Sequence, residues 1–190
     1  MKKVAVAFCL LLVSICYAQK PAKATAKKAI PAKAAAAAKA VTQQKNEWDE
    51  LDVTFIAVID ALVKNDLRAF TALSLKEVDC IDCVGKPEFN NEGFFVGADV
   101  FYLNIAKNFS LSPVYKALST RGYTFDKITI KNFRPKVLPR NYEGDLVLYE
   151  AWVPTYLVNE LSKGHKGTSH GFQFIKTDGK FKFYGLTSIP

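Results

Sequence analysis

Apolar side chains recur every three or four positions over residues 47–64, at Trp48, Leu51, Phe55, Ile59, Leu62 and Val63. That spacing gathers them on one stripe and predicts an amphipathic helix. Asn65-Asp66 interrupts it, and Asp66 is placed to cap a second helix over 67–75. Residues 78–91 follow neither the helical nor the strand period and read as irregular. A third helix is predicted over 97–109, with Phe101, Ile105 and Phe109 on one face, and a fourth over Pro113–Arg121, with proline in its first turn and Gly122 just beyond its end. After Gly122 the period changes to two. Around residues 123–131 Tyr, Phe, Ile and Ile alternate with Thr, Asp, Thr and Lys, which predicts a strand over 123–133. A proline- and arginine-bearing loop over 134–145 separates it from a long strand, 146–158. Two more strands, Thr168–Thr177 and 180–188, flank Asp178-Gly179, a strong hairpin signal. Helices first and long antiparallel strands afterwards define an α+β class, with the N-terminal helices packed on a curved antiparallel sheet of three to five strands.

The first 45 residues belong to a different kind of sequence. Met1-Lys2-Lys3 is a short positive segment, residues 4–13 are apolar and uncharged, and Cys16-Tyr17-Ala18 places small residues at −3 and −1 of a cut before Gln19. This is the pattern of a cleavable secretory leader, residues 1–18, and it predicts export to a periplasmic or extracellular compartment. The apolar run is short of the roughly 20 residues that span a bilayer. An uncleaved anchor and a lipidated Cys16 are the alternatives, the second opposed by Ile15 where a small residue would be needed. Residues 19–45 carry seven lysines, no acid and no aromatic group. Such a stretch has too little to bury to offset the entropy of ordering, so it reads as a disordered Lys/Ala/Pro-rich tether, with transient helix propensity over 32–40. It serves either as a spacer or as a cationic patch for an acidic envelope surface.

Charge changes meaning once the chain is divided. The formal net charge is +8, yet nine of the 26 basic residues precede Asn46, leaving 17 against all 18 acidic ones. Residues 46–190, which suit one domain of ordinary size, are therefore close to neutral. The basic footprint of a nucleic-acid-binding face is missing, and no nucleic-acid partner is expected. No later segment is a transmembrane candidate.

The order of elements, with the helix pair around NDLRAFTALS (65–74) and the long meander strands, resembles the nuclear-transport-factor-2-like (SnoaL-like) cone fold over 46–190. A cystatin-like α+β sandwich is the rival. Members of the resembled family use the cone for isomerisation or dehydration, for binding small ligands, or for dimerisation. The resemblance thus implies a small apolar ligand as partner and admits a homodimer, and it calls for no cofactor. Fold alone does not choose among these uses.

Three groups of residues are candidates for chemistry. Loss of the leader would remove Cys9 and Cys16 and leave Cys80-Ile81-Asp82-Cys83 with the last two cysteines, a pair that reads as a disulfide in an oxidising compartment. A thioredoxin-type motif and a zinc shell completed by His165 and His170 are alternatives; the first lacks its strand-to-helix setting, the second its compact spacing, and no metal is expected. The second group lies on the strands. A two-residue turn at Asp178-Gly179 sets Phe174 opposite Phe183, Phe172 opposite Gly185 and His170 opposite Thr187, and it places His170 with Phe172, Phe174, Phe181 and Phe183 on the apolar face. On the preceding strand Leu146, Leu148, Glu150, Trp152 and Tyr156 share a face. Should that face be the inner one, Glu150 sits in apolar surroundings, as a general acid or base requires, and Glu150 with His170 forms the candidate catalytic pair. Should Val147, Tyr149, Ala151 and Val153 face inward instead, Glu150 faces water. Trp152, Phe172, Tyr102 and Asp99 are the expected pocket-lining residues. The third group, 163–170, is basic and glycine-containing but lacks the spacing of a phosphate loop and reads as an inter-strand turn. These readings make a noncatalytic exported module on a basic tether, binding a small ligand or a protein partner, the leading expectation. An acid–base isomerase or lyase and a structural envelope protein are the alternatives.

Overall fold

In a computed structural model of the chain, the backbone is described for residues 32–83 and 94–190, and side chains from residue 47 onward within those ranges, save 82 and 105–107. The expected leader lies outside the described residues. Helix α1, Ala32–Val63, starts well before the expected Trp48 stripe. Its backbone runs through 32–45, a stretch read from composition as disordered; alanine has the highest intrinsic helix propensity, and Ala32–Val63 contains the alanine run. Asn65, at φ 56°, ends the helix, and Asp66 caps α2, Leu67–Leu73, by accepting from the Ala69 amide at 2.9 Å. Helix α3 is Ala98–Ile105, and α4 is Pro113–Arg121, capped by Ser112 at its start and closed by Gly122 at φ 75°.

Six strands follow the order β2-β1-β6-β5-β4-β3, with β1 Ser74–Cys80, β2 Phe95–Gly97, β3 Thr124–Ile130, β4 Leu146–Tyr156, β5 Thr168–Thr177 and β6 Lys180–Ile189. The β3–β6 meander is as the alternation predicts. Asp178 and Gly179, at φ 50° and 72°, form the hairpin turn. Four expectations change. The helix expected over 67–75 stops at Leu73, and Ser74–Cys80 becomes a strand running parallel to β6, so the sheet is mixed rather than antiparallel and exceeds five strands. Residues expected to be irregular thus include the end of β1. The helix expected over 97–109 is shorter. Phe95–Gly97 pairs with β1, and beyond Ile105 the chain tightens into a 3-10 segment, Ala106–Leu111, kinked at Asn108. The hairpin register slips by one after Phe174↔Phe183, because Tyr184 is bulged, so Phe172 opposes Leu186 and His170 opposes Ser188. A Cβ on Gly185 would stand 2.7 Å from the Asp79 carbonyl oxygen, so this close approach of β1 to the bulge requires glycine.

The two faces of the sheet are covered differently. The helices cover the inner face, where Phe55, Phe70, Phe101, Phe172, Phe174 and Phe183 are fully buried in one cluster. Phe55 is central to it, with ring centroids 4.6 Å from Tyr123, 5.4 Å from Phe172 and 6.3 Å from Phe174. On the outer face, Leu138 and Tyr142 of the β3–β4 loop bury a smaller cluster containing Leu146, Leu148, Ile175 and Tyr184. Polar contacts tie α1 to the sheet. Tyr149 donates to Glu47 at 2.6 Å, Lys127 pairs with the other oxygen of Glu47 at 3.2 Å, Lys176 pairs with Glu50 at 2.7 Å, and Tyr123 donates to Asp52.

Candidate functional site

Parity along the strands decides which polar side chains can meet. Glu150 is paired with Gln173 across β4 and β5, and Val153 with His170. His170 lies three residues from Gln173, an odd number, so Glu150 and His170 point to opposite faces of the sheet. The candidate catalytic pair is therefore not assembled. Tyr149, Ala151 and Val153 supply the inward side of β4, and Glu150 belongs to the outer face. It is not in water there. At 7% exposure it is buried, accepting from Gln173 Nε2 at 2.8 Å and from Trp152 Nε1 at 3.1 Å.

The residues expected to line a pocket separate in the same way. Trp152 lies on the outer face with its ring over Gly171, where a Cβ would come within 3.0 Å of it. Phe172 is sealed between Phe55 and Phe109 in the inner cluster. Tyr102 is buried against Phe70, and its hydroxyl has no hydrogen-bond partner among the described residues. Burial, and then the charge of Asp66, raises its pKa. Asp99 is exposed in the first turn of α3. Cys80 and Cys83 are joined in a disulfide with Cα atoms 5.3 Å apart, so neither sulfur is a thiolate for zinc or for redox exchange with a third thiol. Among the described residues no group of three or more His, Cys, Asp or Glu side chains could hold a metal ion, and no helix is long and apolar enough to cross a membrane.

His170 does reach a concave surface. At the end of the sheet where β4 finishes and β5 begins, a pocket of about 350 Å³ opens between the 3-10 segment, the start of α4 and the strands. Phe109, Val114 and Leu186 form its apolar wall, and Asn104, Asn108 and His170 contribute polar groups. Thr155 Oγ1 lies 2.8 Å from His170 Nδ1 and 3.3 Å from the Val153 carbonyl oxygen. A hydroxyl carries one proton: with it on the carbonyl, Thr155 accepts from Nδ1–H, and with it on Nδ1, Thr155 donates to the ring. Among the described residues no carboxyl side chain lines this pocket. A larger cleft of about 660 Å³ lies between α1 and the β5–β6 hairpin. There Glu50 is paired with Lys176 and the Lys182 ammonium with the Ala72 carbonyl, Leu73 and Phe181 supply apolar surface, and Asp49 and Lys180 add two further charges to the lining. The mouth pocket brings together the uncharged hydrogen-bonding groups of Asn104, Asn108, Ser112 and His170.

Sequence reasoning placed His170 on the correct face but missed the rest of the mouth. Asn104 lies on α3 and Asn108 in the 3-10 segment, and a helix continued through 109 would have oriented them differently. An asparagine at the kink was the available signal, since its side chain competes for backbone hydrogen bonds.

Helices laid on one face of an open, mixed six-stranded sheet, with a small pocket at the strand ends, define an α+β fold. Solved structures similar to it include a protein of unknown function with a cystatin-like fold from Nostoc punctiforme (14% identity, 72% of this chain and 85% of that one, TM-score 0.33). A protein from Streptomyces avermitilis described as a dehydratase of the NTF2-like family is also similar (12% identity, 77% and 97%, TM-score 0.34). So is a type 2 hexachlorocyclohexane dehydrochlorinase, LinA (13%, 77% and 86%, TM-score 0.35). No protein-family model matches the chain, and no curated protein matches it.

Proposed function

We propose that the protein is a noncatalytic binding module, exported by its leader on a lysine-rich tail, whose mouth pocket takes a small, mainly apolar molecule carrying one or two hydrogen-bonding groups. The observation that carries this reading is the composition of the cone. Its interior is filled by packed phenylalanine rings, and among the described residues the pocket left at its end is lined by amide, hydroxyl, imidazole, aromatic and aliphatic groups and by no carboxyl side chain. Proton abstraction or elimination needs a base beside the substrate, with a second group to complete the transfer. The acid–base alternative relied on Glu150 for that second group, and Glu150 is across the sheet. A pocket of about 350 Å³ lies at the lower end of the range for small-molecule sites, which suits a compact ligand.

Native mass spectrometry of the full chain, taken from the cells that make it, tests the proposal. A noncovalent adduct is expected for the wild type and is lost in Val114→Trp, which fills the pocket. Near-ultraviolet circular dichroism checks that the variant stays folded. Absence of any adduct, together with no thermal stabilisation by apolar fragments that carry a carbonyl or hydroxyl, would overturn it.

A further inference from the structure

Residues 157–167 join β4 to β5 in a loop whose shape is fixed from within. Leu157 N–H donates to Glu160 Oε2 at 2.6 Å, Glu160 N–H to the Leu157 carbonyl at 3.0 Å, and Asn159 N–H to the His165 carbonyl at 2.8 Å. Gly164 N–H donates to Asn159 Oδ1 at 2.7 Å, and Gly167 N–H to His165 Nδ1 at 3.0 Å. From outside, Arg121 braces the loop. Its guanidinium donates to the Pro154 and Thr155 carbonyls at 3.0 and 2.8 Å and to Glu160 Oε1 at 2.6 Å. A loop ordered to this degree nevertheless keeps three large apolar side chains in water: Leu157 is 53% exposed, Val158 66% and Leu161 54%. Clustered exposed apolar side chains on an ordered element mark an interaction surface.

Charge identifies the partner. Lys163 and Lys166 are exposed on the same loop, and Lys116 of α4 is near enough to act on Glu160. Glu160 is the only acid of the loop, and Arg121 and the Leu157 amide hold both its oxygens. The loop therefore presents an apolar tip beside unopposed lysines. A bilayer carrying anionic headgroups offers the complement, negative charge above an apolar interior.

We propose that this loop docks the protein on an anionic lipid surface, with Leu157, Val158 and Leu161 inserted at the boundary of headgroups and acyl chains and Lys163 and Lys166 on the headgroup phosphates. The inference is independent of the ligand reading. It also differs from attraction through the N-terminal lysines, which would leave the loop in water.

The test uses the full chain and vesicles with brominated acyl chains, made either of phosphatidylglycerol with phosphatidylcholine or of phosphatidylcholine alone. Val158→Trp places a fluorophore at the tip. Phe133→Trp places one at a half-exposed position just beyond β3, at the other end of the sheet. Wild-type emission, from Trp48 and Trp152, is the shared background. The expected result is quenching at position 158 and none at 133 with the anionic vesicles. Leu157→Ser combined with Leu161→Ser should reduce partition about tenfold or more, with an unchanged melting temperature because both positions are exposed. Equal partition of the double variant and the wild type would overturn the proposal. So would the same quenching at both positions, or vesicle binding that leaves position 158 unquenched, the signature of attachment through the tail or leader. Binding of acidic polypeptide with no partition to vesicles would overturn it in favour of a protein partner.

Discussion

Glu150→Ala tests whether this carboxyl group is structural. It removes the acceptor for two donors. Gln173 is buried, at 8% exposure, so its Nε2–H loses a 2.8 Å partner with no water to replace it. Leaving such a donor unsatisfied costs about 1–3 kcal/mol. Trp152 is half-buried, so its Nε1–H recovers part of its 3.1 Å bond from solvent, and its share is about 1 kcal/mol at most. The expected loss is therefore about 1–4 kcal/mol. With a urea m-value of about 2 kcal/mol/M, the unfolding midpoint falls by about 0.5–2 M. Glu150→Gln keeps one acceptor oxygen and should lose about half as much. Glu150→Leu with Gln173→Leu removes both partners and should cost less than Glu150→Ala alone, because no donor at position 173 is then left unpaired.

The same measurement separates this account from a functional pair. Glu150 and His170 occupy opposite faces, so Glu150→Ala and His170→Ala should be additive in stability to within about 0.5 kcal/mol. A coupling above about 1 kcal/mol, or an unchanged midpoint for Glu150→Ala, would refute the reasoning.

Other consequences can be checked in the same way. Burial, and then the hydrogen bond to Asp52 and its charge, push the Tyr123 phenol up to about 12 from an ordinary value of 10.0. The stability tied to its neutral form is complete below pH 10 and is lost as pH rises from there through about 12; urea midpoints across that window should fall less steeply for Tyr123→Phe than for the wild type. Phe55→Ala empties the centre of the inner cluster, where the side chain is fully buried, and should cost about 3–5 kcal/mol by urea unfolding; a loss below about 1 kcal/mol would contradict the packing described. Reduction of Cys80–Cys83 opens a very short loop, so the chain-entropy model predicts a loss of only about 2 kcal/mol, and circular dichroism in reductant should show the fold retained.

The legible parts of the fold were those set by neighbours in sequence. Asp66 caps α2, Pro113 and Gly122 bracket α4, and Asp178-Gly179 turns the hairpin, each through contacts within a few residues. The overlooked parts depend on distant partners. In Ser74–Cys80 two buried residues are followed by two exposed ones before alternation resumes, so no strand period is visible; the segment becomes a strand through its parallel pairing with β6. The bulge at Tyr184 is hidden for a related reason. Phe183 packs on the inner cluster and Tyr184 on the outer one, and two successive aromatic residues give no sign of which is paired. That slip moved His170 from Thr187 to Ser188. Glu150 was ambiguous because both faces of β4 are apolar. Leu146 and Leu148 serve the outer cluster and Tyr149, Ala151 and Val153 the inner, and only the cross-strand register with Gln173 decides between them.

Burial on both faces of the sheet has a consequence for where function can reside. The inner face is filled by rings, and much of the outer face is covered by the β3–β4 loop or occupied by the Glu150–Gln173–Trp152 hydrogen bonds. The mouth pocket and the braced loop both lie where β4 ends and β5 begins. One side chain serves both. Arg121 binds the carbonyl of Thr155, whose hydroxyl pairs with His170 in the pocket, and it binds Glu160, which closes the first turn of the loop. Position and strength of support thus favour the same end of the molecule.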